Sequence, residues 1–183
     1  MPSLDSIVLE LQREALDRKC SVSDLLRRAM VVAQKLKLTE FEKWIGNELE
    51  GYNGAASEVP AYRRVLGQVK VNNPYRGWMP MTFEDPEEAE LLSSRLCGQS
   101  VAELEHLLSG KKTSSALLMS FPPDLERDLM KSMNPVALKP FLQVSASSVF
   151  GILDAVRTSV LKWALRLETD GILAACGQCP AVT

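Results

Sequence analysis

The stretch from Ser148 to Glu168 constrains this chain more than any other. Val149, Leu153, Val156, Val160, Trp163 and Leu167 recur at spacings of 4, 3, 4, 3 and 4 residues. Residues three and four apart share one face of an α-helix, so the spacing predicts a long helix with a continuous apolar stripe. Phe150, Ile152, Leu161 and Ala164 widen it. The stripe is either one wall of the chain's own core or a seam for a second helix. "TDGI" at 169–172 closes the helix, with Gly171 as its C-cap. One charge intrudes. Arg157 projects between Leu153, Leu161 and Ala164, and Asp154 lies one turn earlier at the border. A charge facing a core needs a partner. The expectation is a structural ion pair of Arg157 with Asp154, extended to Glu168, or a pocket or interface lined by Arg157.

The first 50 residues also carry helical periodicity. Leu4, Ile7, Val8, Leu11 and Ala15 share one face. "SVSD" at 21–24 has the form of a capping box and opens a second helix. "TEFE" at 39–42 repeats that pattern and opens a third, with Phe41, Trp44, Ile45 and Leu49 as its apolar face and Gly51 as its stop.

After residue 60 the period changes to two. In "RRVLGQVKV", Val65, Val69 and Val71 alternate with Arg64, Leu66, Gln68 and Lys70, which predicts a half-buried strand. "WMPMTF" at 78–83 is a second strand, pushed to a sheet edge by Pro80. "NNPYRG" between them suits a hairpin loop. Asp85 and Pro86 start a further helix, and Ser100 with Glu103 caps another that ends at Gly110. "SALLMSF" at 115–121 and "PVALKPFLQVS" at 135–145 read as strands, the latter broken or set at an edge by Pro140; "PPDLERDLM" between them reads as a short helix. The fold class is therefore α+β: N-terminal helices and a long C-terminal helix packed with a small antiparallel β-sheet. A chain of 183 residues suits one domain, taken as residues 1–172, with 173–183 as a tail or the start of a linker.

The net charge of −2 argues against an overall electrostatic commitment to nucleic acid or to an anionic membrane. No apolar run is long enough to span a bilayer, and "MPSLDSIVLE" lacks the basic start of a secretory signal. With four scattered cysteines, at 20, 97, 176 and 179, the expectation is a cytoplasmic protein with reduced thiols. The single histidine, His106, lies on a helix beside glutamates and has no nucleophile motif with it. No phosphate-loop, dinucleotide or H-E-x-x-H pattern is present. The Cys176 and Cys179 pair has C-x-x-C spacing but no second ligand pair nearby, so no metal and no cofactor is expected.

Charge is uneven around the hairpin. Residues 59–80 hold Arg63, Arg64, Lys70 and Arg76 and no acid, whereas 84–90 hold Glu84, Asp85, Glu87, Glu88 and Glu90 and no base. The bland interpretation is local complementarity. The sharper one is an anion or nucleic-acid patch of Arg63, Arg64, Lys70 and Arg76 with Tyr75 and Trp78, because guanidinium groups interleaved with aromatic rings suit phosphates and stacked bases.

The blocks "VSDLLRRAMVVAQKL", "FEKWIGNELEGY", "VPAYRRVLGQVK", "NPYRGWMPMTFEDPE", "VAELEHLL", "FPPDLE" and "GILDAVRTSVLKWALRLETDGI" occur in series. Together they resemble the AbiTii family, a bacterial domain named for abortive-infection phage resistance, from about residue 4 to 172. The family-like positions are Trp44, Asn47, Glu48, Leu49, Gly51 and Tyr52, then Tyr62, Gly67 and 73–78, then Asp154 and Arg157. The tail "LAACGQCPAVT" departs from the pattern. The resemblance implies a role in antiphage defence and brings no catalytic residues with it. The expected function is a non-enzymatic recognition or oligomerisation module that meets itself or another defence protein. The alternative is a toxic effector binding nucleic acid through the basic hairpin.

Overall fold

A computed structural model of the protein describes residues 4–109, 116–133 and 137–169. The chain divides into two compact units: residues 1–55, 98–109 and 152–183 in one, and residues 56–97 and 110–151 in the other. The expected stops at Gly110 and Gly171, residues 115 and 135–136 of the expected strands, the Cys176 and Cys179 pair and the tail from 173 lie outside the described residues.

The first unit is helical. It contains α1 (Leu4–Leu16), α2 (Val22–Lys35), α3 (Thr39–Glu50), α5 (Val101–Leu108) and the part of α7 (Ala146–Thr169) from Ile152 onward. Its core follows the apolar stripes: Leu11, Leu25, Ala29, Phe41, Ile45, Leu104, Val156, Val160 and Ala164 are buried. The α7 stripe is thus part of the chain's own interior. Phe41 stacks between two tryptophans, 5.6 Å from Trp44 and 4.6 Å from Trp163 between ring centres, which ties α3 to α7.

The helix ends are finished from a distance. The carboxylate of Glu105 on α5 accepts from the amides of Val22 (2.6 Å) and Ser23 (3.4 Å) and from the Ser23 hydroxyl (2.6 Å) at the start of α2. Those amides have no partner inside the helix, and a negative charge suits that end of the dipole. Ser21 caps the same helix by accepting from Asp24 N. Ser100 and Glu103 form the full reciprocal box on α5. "TEFE" does not act as a capping box: Thr39 is already helical and the N-cap is Leu38, without a side-chain bond. Here the preceding turn sets the start of the helix, with Lys37 at φ 56° and Leu38 N donating to Ala33 O.

Arg157 corrects the expected ion pair. Its guanidinium donates to the main-chain carbonyls of Glu14 (3.3 Å), Asp17 (2.8 Å) and Cys20, at and just beyond the end of α1. Asp154 is exposed, and Glu168 accepts instead from Gln12. The last carbonyls of a helix lack intrahelical partners and carry its negative pole, so they are a ready site for a cation.

The second unit holds the sheet. Its strands are β1 (Arg64–Asn73), β2 (Gly77–Pro80), β3 (Ser94–Leu96), β4 (Ala116–Ser120) and β5 (Pro140–Ser145), with α4 (Pro86–Ser93) and α6 (Pro123–Ser132) among them. The strand order is β2-β1-β5-β4, with β3 also paired to β1, and every pairing is antiparallel. Pro80 ends an edge strand, as expected. Pro140 neither breaks its strand nor marks an edge. It is the first residue of β5, which lies inside the sheet, a position where a missing N–H is tolerated. β3 has three residues, too few for a period of two to show.

Alternation gives the sheet two unlike faces. Val65, Val69, Val71, Leu117, Leu142 and Val144 are buried, and α4 packs on β1 and α6 beside β5 with Leu92 and Leu129 buried. The other alternates, among them Arg64, Leu66, Gln68, Asn72 and Leu118, are exposed. Gly67 sits where β1 meets β5, and a Cβ there would lie 2.5 Å from the carbonyl oxygen of Gln143.

The Gly67→Ala variant is therefore expected to lose about 1–3 kcal/mol of stability, since a backbone atom must shift to admit the methyl group; urea unfolding measures it. Arg157→Ala removes the one side chain that joins the Glu14, Asp17 and Cys20 carbonyls and is expected to cost about 1–3 kcal/mol. Asp154→Asn, at an exposed position, should change stability by less than about 0.5 kcal/mol.

Candidate functional site

The hairpin between β1 and β2 is built by the local chemistry of two residues, Asn73 and Gly77. Asn73 and Gly77 are the last cross-strand pair, leaving Pro74, Tyr75 and Arg76 as the loop. The Asn73 side-chain oxygen accepts from the amides of Tyr75 (2.9 Å) and Arg76 (3.1 Å), and Gly77 takes φ 73°. An Asn that bonds its own turn and a glycine in the left-handed region fix this loop without help from elsewhere. Tyr75 is consequently held out, 95% exposed, and Arg76 is exposed beside it.

The loop leads onto the open face of the sheet. Trp78 stands opposite Asn72 and is 43% exposed. Its ring meets Phe141 of β5 edge-on, with centres 5.6 Å apart and planes at 79°. Phe141 lies in one cross-strand row, Pro80–Lys70–Phe141–Ser120. The next row of this face is Gln68–Gln143–Leu118. The Lys139 ammonium lies 5.5 Å from the Phe141 ring centre and also pairs with Glu126 at 3.1 Å. At the β4 end, Ser120 and Lys139 line a cleft of about 580 Å³ whose apolar walls include Phe121 and Met130. None of the five strands contains an Asp or Glu.

The structure sorts the expected binding residues. Tyr75, Arg76 and Trp78 fall together at the hairpin and the adjoining face. Arg64 is exposed at the far end of β1, with its guanidinium 3.4 Å from the Ser94 hydroxyl. Arg63 does not belong to a surface patch. It is fully buried and donates to the Cys97 carbonyl at 2.9 Å, so its side chain serves the interior. It sits in a 3-10 turn (Ala61–Arg63) just before β1, outside the alternation that exposes Arg64. Phe141, Gln143 and Lys139 join the face without having been expected there. The signal for the first two is present in "PFLQVS", where they alternate with Leu142 and Val144.

Other titratable groups are engaged elsewhere. Burial pulls the Arg95 guanidinium below its ordinary pKa, and it donates to the Ser120 carbonyl and lies over Phe121. Burial raises the Cys20 thiol above its ordinary value, Arg157 works in the opposite direction, and Asp24, Asp17 and Glu105 add to the rise. A raised pKa keeps a thiol protonated and unreactive at neutral pH. His106 is exposed on α5. Among the described residues no group of three or more His, Cys, Asp or Glu side chains is placed to hold a metal ion. None of their helices is long and apolar enough to cross a membrane.

The AbiTii family model matches residues 6–180, almost the whole chain. The protein belongs to the AbiTii family, and hence to bacterial abortive-infection defence against phage. No curated protein and no solved structure matches the chain.

Replacing Arg63 separates its role from that of the hairpin. Arg63→Ala is expected to cost about 1–3 kcal/mol, because it removes a fully buried side chain that donates to the Cys97 carbonyl. Arg76→Ala should stay within about 0.5 kcal/mol of the parent in the same unfolding measurement.

Proposed function

We propose that the protein acts in antiphage defence, in the bacterial cytoplasm, as a recognition module without turnover of its own, and that it meets a macromolecule through the open face of the sheet. One observation carries this: Tyr75, Trp78 and Phe141 are gathered with Lys70 and Arg76 along strands that contain no carboxylate. Exposed aromatic rings are costly to keep in water, and rings beside cationic groups are characteristic of binding surfaces. Residues 1–172 are taken as one functional domain, since the chain passes between its two units after residues 55, 97, 109 and 151.

Self-association is the second reading, and it has less support from α7 than the heptad spacing suggests. Val149, Val156, Val160, Ala164 and Leu167 are already buried within one chain. A dimer would use exposed apolar groups outside that stripe, such as Phe150 and Leu165 on α7 or Leu66 and Leu118 on the open face. The reading of a toxic effector working through the hairpin keeps Tyr75, Arg76 and Trp78 and loses Arg63.

Phage challenge of bacteria expressing the protein tests the proposal. The double variant Tyr75→Ser, Trp78→Ser is expected to raise phage plating at least about tenfold, the effect of losing roughly 1.4 kcal/mol of binding. Its melting temperature should stay within a few degrees of the parent, because both side chains are exposed. Full protection by a stably folded double variant would refute the open face as the working surface.

A further inference from the structure

The chemistry of this face narrows its target. Trp78, which meets Phe141 edge-on, is 43% exposed, Phe141 is half-buried beside it, and Tyr75 offers a third ring at the tip. Cations flank the rings: Lys70 stands between Pro80 and Phe141 in their row, Arg76 follows Tyr75, and Lys139 lies over Phe141 while sharing its charge with Glu126. Amide side chains, Gln68, Asn72 and Gln143, fill the positions between and can both donate and accept. We infer that the open face binds single-stranded nucleic acid, with bases stacked on Trp78 and Phe141 and phosphates beside Lys70 and Arg76. This rests on the open face being the working surface proposed above.

Size and charge agree with a short single strand. Four strands side by side span about 14 Å, which accommodates two or three stacked nucleotides. The rings can stack on bases only where those bases are unpaired. The exposed carboxylates of Glu84, Asp85, Glu87, Glu88 and Glu90 follow β2 closely in the chain. They oppose a polyanion, and they oppose a duplex more than a single strand, whose phosphates are spaced more widely along the axis. An acidic peptide without aromatic side chains would leave the rings without stacking partners.

Fluorescence anisotropy with the full-length protein tests the inference. The probes are labelled mixed-sequence oligomers of about ten nucleotides as RNA, as single-stranded DNA and as duplex DNA. At least one single strand is expected to bind saturably, and the duplex at least about tenfold more weakly. The affinity should fall with salt with a log–log slope of about −1.4 to −2.1, the release expected for two or three phosphates on a single strand. Trp78→Ala and Phe141→Ala should each weaken binding by about fivefold or more, whereas Arg27→Ala, at an exposed position of α2, should not. Arg76→Glu provides a variant that leaves the sheet packing untouched and should also weaken binding. No saturable binding of either single strand below about 100 µM, equal binding of duplex, or unchanged binding by folded Trp78→Ala and Arg76→Glu proteins would overturn the inference. Failure here together with loss of phage protection in Tyr75→Ser, Trp78→Ser leaves the open face as a surface for a different macromolecule. Intact protection in that double variant removes the face altogether.

Discussion

The pairing of β1 with β5 governs the second unit. β1 also pairs with β2 and β3, and β5 alone links it to β4, so every strand is located by reference to this one contact. The contact depends on Gly67, where the backbone of β5 comes too close for a side chain. From the register follow both faces. Shifting β1 by one residue would place Val65, Val69 and Val71 in water and Lys70 in the interior. The hairpin tip and the row containing Phe141 are therefore consequences of the same register that buries the valines.

Charged side chains do structural work at several points where a purely apolar core would leave backbone groups unsatisfied. Glu105 completes the start of α2 from another helix, and Arg157 does the same for the carbonyls beyond α1. Glu48 is fully buried and accepts from the Tyr52 hydroxyl at 2.8 Å. Arg63 is buried against the Cys97 carbonyl in the sheet unit. In each case a charged side chain supplies a hydrogen bond to a polar group, and for Glu105 and Arg157 the charge also matches the pole of the helix end it meets.

Elements with strong periodicity were readable from residues alone. The stripe of α7, the alternation in β1 and the caps at Ser21, Asp85 and Ser100 all appear where the pattern places them. Partners across space were not readable. Arg157 was seen to need a partner, but nothing in the local sequence points to carbonyls some 140 positions earlier. Arg63 and Arg64 are adjacent and chemically alike, yet a 3-10 turn sends one inward and leaves the other in water. At the candidate site, Tyr75, Arg76 and Trp78 were legible because their turn is local. The outward alternation of Phe141 is present in the sequence, but its place beside Trp78 depends on the pairing of β5 with β1, and Lys139 precedes the strand and carries no such pattern.

The sequence positions of the paired strands also fix an order of events during synthesis. β1 ends at Asn73, but β5 begins only at Pro140, and the donor to the end of α1 is Arg157. While the ribosome makes the middle of the chain, β1 can join β2 and β3 but exposes the edge that β5 will cover. Long-range pairing of this kind makes formation slow and leaves an open strand edge in the meantime. Neither unit can be completed until nearly the last helix has emerged. A chain stopped before β5 would lack Phe141 and the strand that links β4 to β1, so the open face is complete only once that late strand has been made.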